Sequence, residues 1–319
     1  MQGLAKAAHT VLMQCMGAKP GEILCIVYDE PKSAIAQAIL DIAAKEGLEA
    51  VTVQMNVRSR DGEEPPAPVA SAMANSDIVL CITSRSLSHT KARRDANLAG
   101  ARIASLPGIT EDMLIRTMQA DYSEVARLGQ AISKVLQGAT SVHVESATGT
   151  NLHIPFEGRP IMYESGLLHS PGDFGNLPAG EVALAPLEGG THGTLVIDGS
   201  MSGAGKLTEP LTVVIEDGLA TSITGGTAAA RLHSLLEPLG PDAYNIAELG
   251  IGTNPAAMIT GAVLEDEKVL GTIHIALGNS ISMGGNVDVP IHLDGIVRNP
   301  TVVTNTGTVI LKDGVMQIS

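Results

Sequence analysis

Between Glu248 and Asp294 the chain carries side chains able to hold a metal ion or move a proton, each in an apolar or glycine-rich surround. Glu248 lies in AELGIG, His274 in TIHIALG, and His292 and Asp294 in VPIHLDGIV. An alternating run read as a strand turns His292 and Asp294, two positions apart, to the same face. His274, between Ile273 and Ile275, puts an imidazole where a core residue is expected. A further carboxylate, Glu181, opens the apolar run EVALAP after a Pro-Ala-Gly turn. Imidazole and carboxylate on rigid strands suit Zn²⁺, Fe²⁺, Mn²⁺ or Co²⁺, which take nitrogen and oxygen ligands.

Each of these residues alone has an ordinary reading, as a hydrogen-bonded core histidine or a capping carboxylate. Their convergence on several apolar segments of one half of the chain favours a metal site. Basic neighbours are few, Lys268 and Arg298 among them, and buried carboxylates without cations are costly. Glu181, Glu248, His274, His292 and Asp294 offer more ligands than one tetrahedral ion needs. They suit two divalent ions per chain sharing a bridging carboxylate, an arrangement that activates water as a nucleophile. A second patch, SRSLSHTKARRDA, brings His89, Arg93 and Arg94 after a strand end, where positive charge would bind polar or acidic groups of a substrate.

The elements that must position these residues fall into two halves. Over residues 1–138, apolar strands alternate with helices: GEILCIVYDE, SAIAQAILDIAAKEG, LEAVTVQM, APVASAMANS, DIVLCITS, ARIASLPG. That order predicts a doubly wound α/β domain with a parallel sheet. Thr110 is placed to cap the helix that starts at TEDMLIRTM. Over residues 139–319, short β-branched runs alternate with Gly, Asp and Asn turns, and Asp217-Gly218 and Asp313-Gly314 are hairpin signals. One helix, 226–240, interrupts them. This half is expected to be a β-rich α+β domain holding every candidate ligand.

Composition narrows the function further. The chain has 319 residues, 44% of them hydrophobic, and a mean hydropathy of +0.21, which excludes a disordered chain. A net charge of −14 argues against nucleic acid and anionic membrane as partners. Cys15, Cys25 and Cys81 lack metal spacing and suit a reducing cytoplasm. No secretory leader or membrane span is read from the sequence. No glycine-rich phosphate loop follows the first strand, so nucleotide oxidoreductases are set aside.

As an ordered set, NLPAGEVALAP, AELGIGTNP, GTIHIALGN and IHLDGIV resemble the thermophilic metalloaminopeptidases of the aminopeptidase T and aminopeptidase S type. SLSHTKARRDANLAGARIASLPGIT resembles a stretch of that family's first domain. The resemblance implies two divalent ions, zinc or cobalt, held by Glu181, Glu248, His274, His292 and Asp294, with Glu248 bridging or acting as base. It also implies a homodimer. The chain departs from that family after Gly278, where Asn279, Ser280 and Ile281 stand in place of a nearby tyrosine.

The 2,5-dihydroxypyridine dioxygenase type is a more distant resemblance. It implies one ferrous ion, a His at the Glu248 position beside the His-x-Asp pair, and no equivalents of Glu181 and His274. Because this chain has Glu248 and keeps the other two, the expectation is a dinuclear metallohydrolase of amide bonds, aminopeptidase-like, acting on a short peptide or small molecule. Zinc is the expected metal, with cobalt, manganese or iron as alternatives. The competing readings are a mononuclear iron ring-cleaving dioxygenase and a small-ligand-binding protein with a vestigial site.

Overall fold

Apolar strands separated by amphipathic helices build a five-stranded parallel sheet in the N-terminal part of the chain. A computed structural model describes residues 2–318 and divides them into two compact units, 2–126 with 164–179, and 127–163 with 180–318. The first unit's sheet runs Glu49–Met55, Ile23–Asp29, Ile78–Ile82, Arg102–Ser105 and Phe174–Asn176. Leu24, Cys25, Ile26 and Val27 are all fully buried, so this strand is covered on both faces. Glu49–Met55 lies at the sheet edge and is mostly exposed, which departs from the solid burial its sequence suggests.

The fifth strand comes from beyond the expected boundary at residue 138. The segment Glu164–Ala179 belongs to the first unit, and the Asp-Phe-Gly-Asn stretch is too short and polar to announce a strand. At the helix Glu111–Thr117, Thr110 Oγ1 accepts a hydrogen bond from the Met113 amide at 3.1 Å, the expected cap. All three cysteines are free and buried. Among the described residues, no helix is long and apolar enough to cross a membrane.

The second unit holds two mixed-order sheets whose resolved registers are antiparallel. The larger, eight-stranded sheet includes Ser141–Glu145, Asn151–Pro155, His192–Ile197, Leu211–Glu216 and Leu219–Thr224. Asp217 and Gly218, with φ of 49° and 72°, join two of its strands in the hairpin their sequence signals. Asp313-Gly314 does the same between Val309–Lys312 and Val315–Met316.

The second sheet, of seven strands, includes Glu181–Leu184, Ile246–Gly252, Ile273–Gly278 and His292–Val297 as adjacent neighbours. Val182, Leu184, Leu249, Ile251, Ile273, Ile275, Leu277 and Leu293 enter one core with Val142, Val144, Leu152, Leu195 and Val213 of the larger sheet. The two sheets therefore pack through a shared apolar layer. Strand periodicity then commits the intervening residues of the smaller sheet to its other face.

Candidate metal centre

That other face is where the candidate ligands meet. Register places Glu248 opposite Ala276 and Ala276 opposite Asp294, while Gly278 faces His292 and Gly250 faces His274. Glu181 faces Gly252 across the next strand pair. Small residues thus alternate with the polar ones and leave room for them. A Cβ on Gly250 would lie 2.0 Å from His274 Nε2, so only glycine admits the imidazole there.

The side chains form a continuous row. Lys268 Nζ donates to Glu267 Oε1 at 2.9 Å and to Glu181 Oε1 at 2.6 Å. His274 Nε2 lies 3.4 Å from Glu181 Oε2 and 3.2 Å from Glu248 Oε1. Glu248 Oε2 is 2.9 Å from His292 Nε2, which is 3.3 Å from Asp294 Oδ1. The structure brings together all five residues singled out as ligands, and adds Glu267 and Lys268. Glu267 escaped the sequence reading because it sits in an acidic run, LEDEK, that resembles a solvated turn. Lys268 was visible as a nearby cation, but nothing in its sequence position showed it entering the row.

Local folding explains how it enters. The Glu265 and Asp266 carboxylates accept backbone N–H groups from Met258 at 2.8 Å, Thr260 at 2.7 Å and Gly261 at 2.9 Å. Asp266 also accepts from Ser200 Oγ at 2.6 Å. These bonds tie down the segment before Lys268. A Cβ on Gly252 would meet the Val269 carbonyl oxygen at 2.1 Å, so that glycine lets the segment pass against the strand. The ammonium arrives fully buried.

Electrostatics follows from the crowding of carboxylates. Burial works against the charged form of His274, but the Glu248 hydrogen bond and the charges of Glu248, Glu181 and Glu267 outweigh it and hold the imidazole at about 9. Burial likewise opposes charge on His292, yet Asp294 and Glu248 raise it well above the usual histidine value. Glu248 would be raised by burial, but its bonds to both imidazoles hold it far below the ordinary carboxylate range. Burial comes first at Glu267 and raises it, with Lys268 acting in the opposite direction.

The row therefore attracts positive charge. Four carboxylates, Glu181, Glu248, Glu267 and Asp294, face one permanent cation, Lys268. Two protonated imidazoles, or one divalent ion beside two neutral ones, would leave the same net charge.

Among the described residues, two groups each offer three ligand atoms within 4.8 Å of one another: Glu248, His292 and Asp294, and Glu181, Glu267 and His274. The first fits a metal by the chemistry of its donors. His292 Nδ1 donates to the Asn279 carbonyl at 2.8 Å, which fixes the ring and leaves Nε2 as the ligand atom. Asp294 Oδ1 is buried with His292 Nε2 3.3 Å away but outside hydrogen-bond geometry, which leaves its lone pairs available to a cation. A third of the His292 side chain is exposed, so this group is reachable from solvent. The second group already contains the Lys268 ammonium. The expectation that all five ligands serve a cation pair thus meets a site whose inner half holds a lysine.

His89 and Arg93 lie in the first unit. Arg93 engages its guanidinium there: Nε donates to the Ser88 carbonyl at 2.7 Å, Nη1 to Asn97 Oδ1 at 3.2 Å, and the cation stacks 4.2 Å above the Phe174 ring. His89 is exposed, and its carbonyl accepts from Arg94 Nη1 at 2.8 Å.

The NicX family model, described as 2,5-dihydroxypyridine 5,6-dioxygenase, matches residues 4–318. A curated 2,5-dihydroxypyridine 5,6-dioxygenase of Pseudomonas putida KT2440 is 29% identical over 199 residues, 58% of this chain and 57% of that protein. The match thus spans little more than half of that relative's length. The solved 2,5-dihydroxypyridine dioxygenase of Pseudomonas putida KT2440 superposes with a TM-score of 0.82 at 20% identity, over 98% of this chain and 96% of that one. Wild-type AmpT from Thermus thermophilus gives 0.72 at 17% identity, over 99% of each chain.

At these identities both solved structures establish a shared fold, so the likeness to the aminopeptidases is one of architecture. The family match and the curated relative overturn the expected metallohydrolase, and with it the hydrolase, metalloprotease and aminopeptidase descriptions. Retention of Glu181 and His274 misled because both residues have work besides binding a second ion: Glu181 neutralises Lys268, and His274 anchors Glu248. The chain belongs to the NicX, 2,5-dihydroxypyridine 5,6-dioxygenase, family.

Proposed function

We propose that the chain is an iron-dependent ring-cleaving dioxygenase acting on a dihydroxylated N-heteroaromatic such as 2,5-dihydroxypyridine. The observation that carries this reading is the solvent-reachable group Glu248, His292 and Asp294 in a chain matched by the NicX model over residues 4–318. A mixed imidazole and carboxylate set suits Fe²⁺, which needs neither the thiolates that soft ions prefer nor a closed tetrahedral cage. The chain differs from the two-histidine, one-carboxylate sets of many non-haem iron oxygenases in using two carboxylates.

Bound iron would supply the redox centre through which O₂ and an electron-rich ring exchange electrons. Glu248, His292 and Asp294 would hold it, one ligand atom each. The Asn279 carbonyl keeps His292 in the tautomer that presents Nε2. His274, hydrogen-bonded to Glu248 Oε1, fixes that carboxylate's rotation and can hold a proton at Nε2. The apolar layer behind the strands keeps water away from one side of the row. Dioxygenation places both atoms of O₂ in the product as the ring bond breaks, so no separate reductant is consumed.

The test is anaerobic reconstitution of the metal-free protein with Fe²⁺, then oxygen uptake and loss of ring absorbance with 2,5-dihydroxypyridine and related dihydroxypyridines. One O₂ per ring consumed is the expected result. Iron-loaded, folded protein that consumes no oxygen with any of these rings would refute the reading.

A further inference from the structure

We propose that the Lys268 ammonium is a built-in substitute for a second divalent cation, seated on Glu181 and Glu267, and that this lysine limits the centre to one exchangeable ion. The inference deepens the reading of the same site and rests on it. Its support is geometric. Glu181, Glu267 and His274 present three ligand atoms within 4.8 Å of one another, the same closeness as the outer group. Yet Lys268 Nζ already lies 2.6 Å from Glu181 and 2.9 Å from Glu267, with no solvent exposure.

A cation at that end is a physical necessity, since Glu181 is 8% exposed and its carboxylate cannot remain buried and uncompensated. The two possible cations differ in consequence. An ammonium tethered to the backbone cannot be chelated or exchanged, whereas a free ion can. The segment that delivers Lys268 is held by Asp266 to Thr260, Gly261 and Ser200, and its passage depends on Gly252, so the ammonium is placed by the fold rather than by chance.

Glu248 marks the division between the two halves. Its Oε1 faces His274 and its Oε2 faces His292, so one carboxylate couples the fixed cation's half to the exchangeable one. His274 also keeps its buried Nδ1 without a hydrogen-bond partner. The ring is thus held through Nε2 alone, which lies between Glu181 Oε2 at 3.4 Å and Glu248 Oε1 at 3.2 Å and already faces the position a cation would take if Lys268 were removed. The inner group is in this sense a latent metal site.

Metal content read without substrate tests the proposal on the full chain. Metal-free protein titrated anaerobically with Co²⁺ or Fe²⁺, desalted and measured by elemental analysis, should hold one equivalent. Lys268→Met should hold two, with a second set of Co²⁺ absorption bands, and Lys268→Met combined with Glu267→Gln should return to one. Two equivalents in the unsubstituted protein, or one in folded Lys268→Met at millimolar metal, would overturn the inference.

If Lys268→Met folds only when divalent metal is present, the ion is replacing the ammonium and the proposal stands. If it folds under no condition, Glu181→Gln decides. The ammonium reading keeps one equivalent with affinity within about threefold, and loss of that equivalent overturns it. Failure of oxygen uptake sinks the dioxygenase reading whatever the metal count, and a count of two sinks this inference even in an active oxygenase.

Discussion

The two ends of the buried polar row differ in how they manage negative charge. At the inner end Glu181 and Glu267 close on Lys268, with His274 completely buried beside them. At the outer end Glu248, His292 and Asp294 gather with no lysine paired to them among the described residues, and the His292 ring is a third exposed. One end is an ion pair finished by the fold, and the other is an acidic group open to a solute cation. Similar donor types therefore perform different tasks, and solvent access together with one lysine separates them.

The sharpest way to break the comparison is to disable the outer end alone. Asp294→Ala and His292→Ala should each release the metal on desalting, with affinity falling by more than the roughly 10–100-fold typical of a lost supporting partner. Oxygen-uptake activity should vanish while the fold survives. If either variant kept its ion, the outer end would not be the binding end.

Next in size is damage to the inner end. Glu181→Ala removes one partner of a fully buried ammonium, and should lower stability by about 3–5 kcal/mol in a denaturant titration. The surviving folded protein should still bind one ion. A neutral effect on stability would show that the Lys268 pair does not carry the inner half.

Gly250→Ala probes the contact between the ends. Its Cβ would lie 2.0 Å from His274 Nε2, so the ring must shift and loosen Glu248. The expected cost is about 1–3 kcal/mol in thermal or denaturant unfolding, with a metal-affinity loss smaller than that of Asp294→Ala. An unchanged melting temperature would mean the ring moves freely.

The smallest effect is the pH response, and its sign differs between the metal-free and loaded protein. His274 is raised in the fold to about 9, so the stability it contributes is full below the ordinary histidine value of about 6.5 and is lost as pH rises through about 9. His292 is raised as well and acts in the same direction. The metal-free protein should therefore melt at lower temperature at pH 9 than at pH 6. Metal binding must displace the His292 proton, so affinity should increase with pH by up to about tenfold per unit for one proton. Melting curves and metal titrations across this range check both signs, and a metal affinity that fell with rising pH would contradict a ligand role for His292.

Much of this arrangement was legible from residue pattern. The alternation in IHLDGIV put His292 and Asp294 on one strand face, His274 stood out as an imidazole at a core-like position, and the structure brings all three together beside Glu248 and Glu181. Asp217-Gly218 and Asp313-Gly314 formed hairpins because few residue pairs accept positive φ at both positions. These features are local, set by backbone sterics and strand period within a few residues, and so they can be read in one dimension.

Other features required the chain to be folded. Phe174–Asn176 joins the parallel sheet only because Arg102–Ser105 offers it an edge, which no nearby residue announces. Glu267 and Lys268 sit beside each other in an acidic turn, yet the ammonium reaches Glu181, 87 positions away. Whether a carboxylate awaits a metal or already has its cation depends on which charge arrives across such a distance. Ligand types are therefore written in the sequence, but their division between a lysine and a metal is decided by tertiary placement, because Coulomb energy in a low-dielectric interior depends on separation in space.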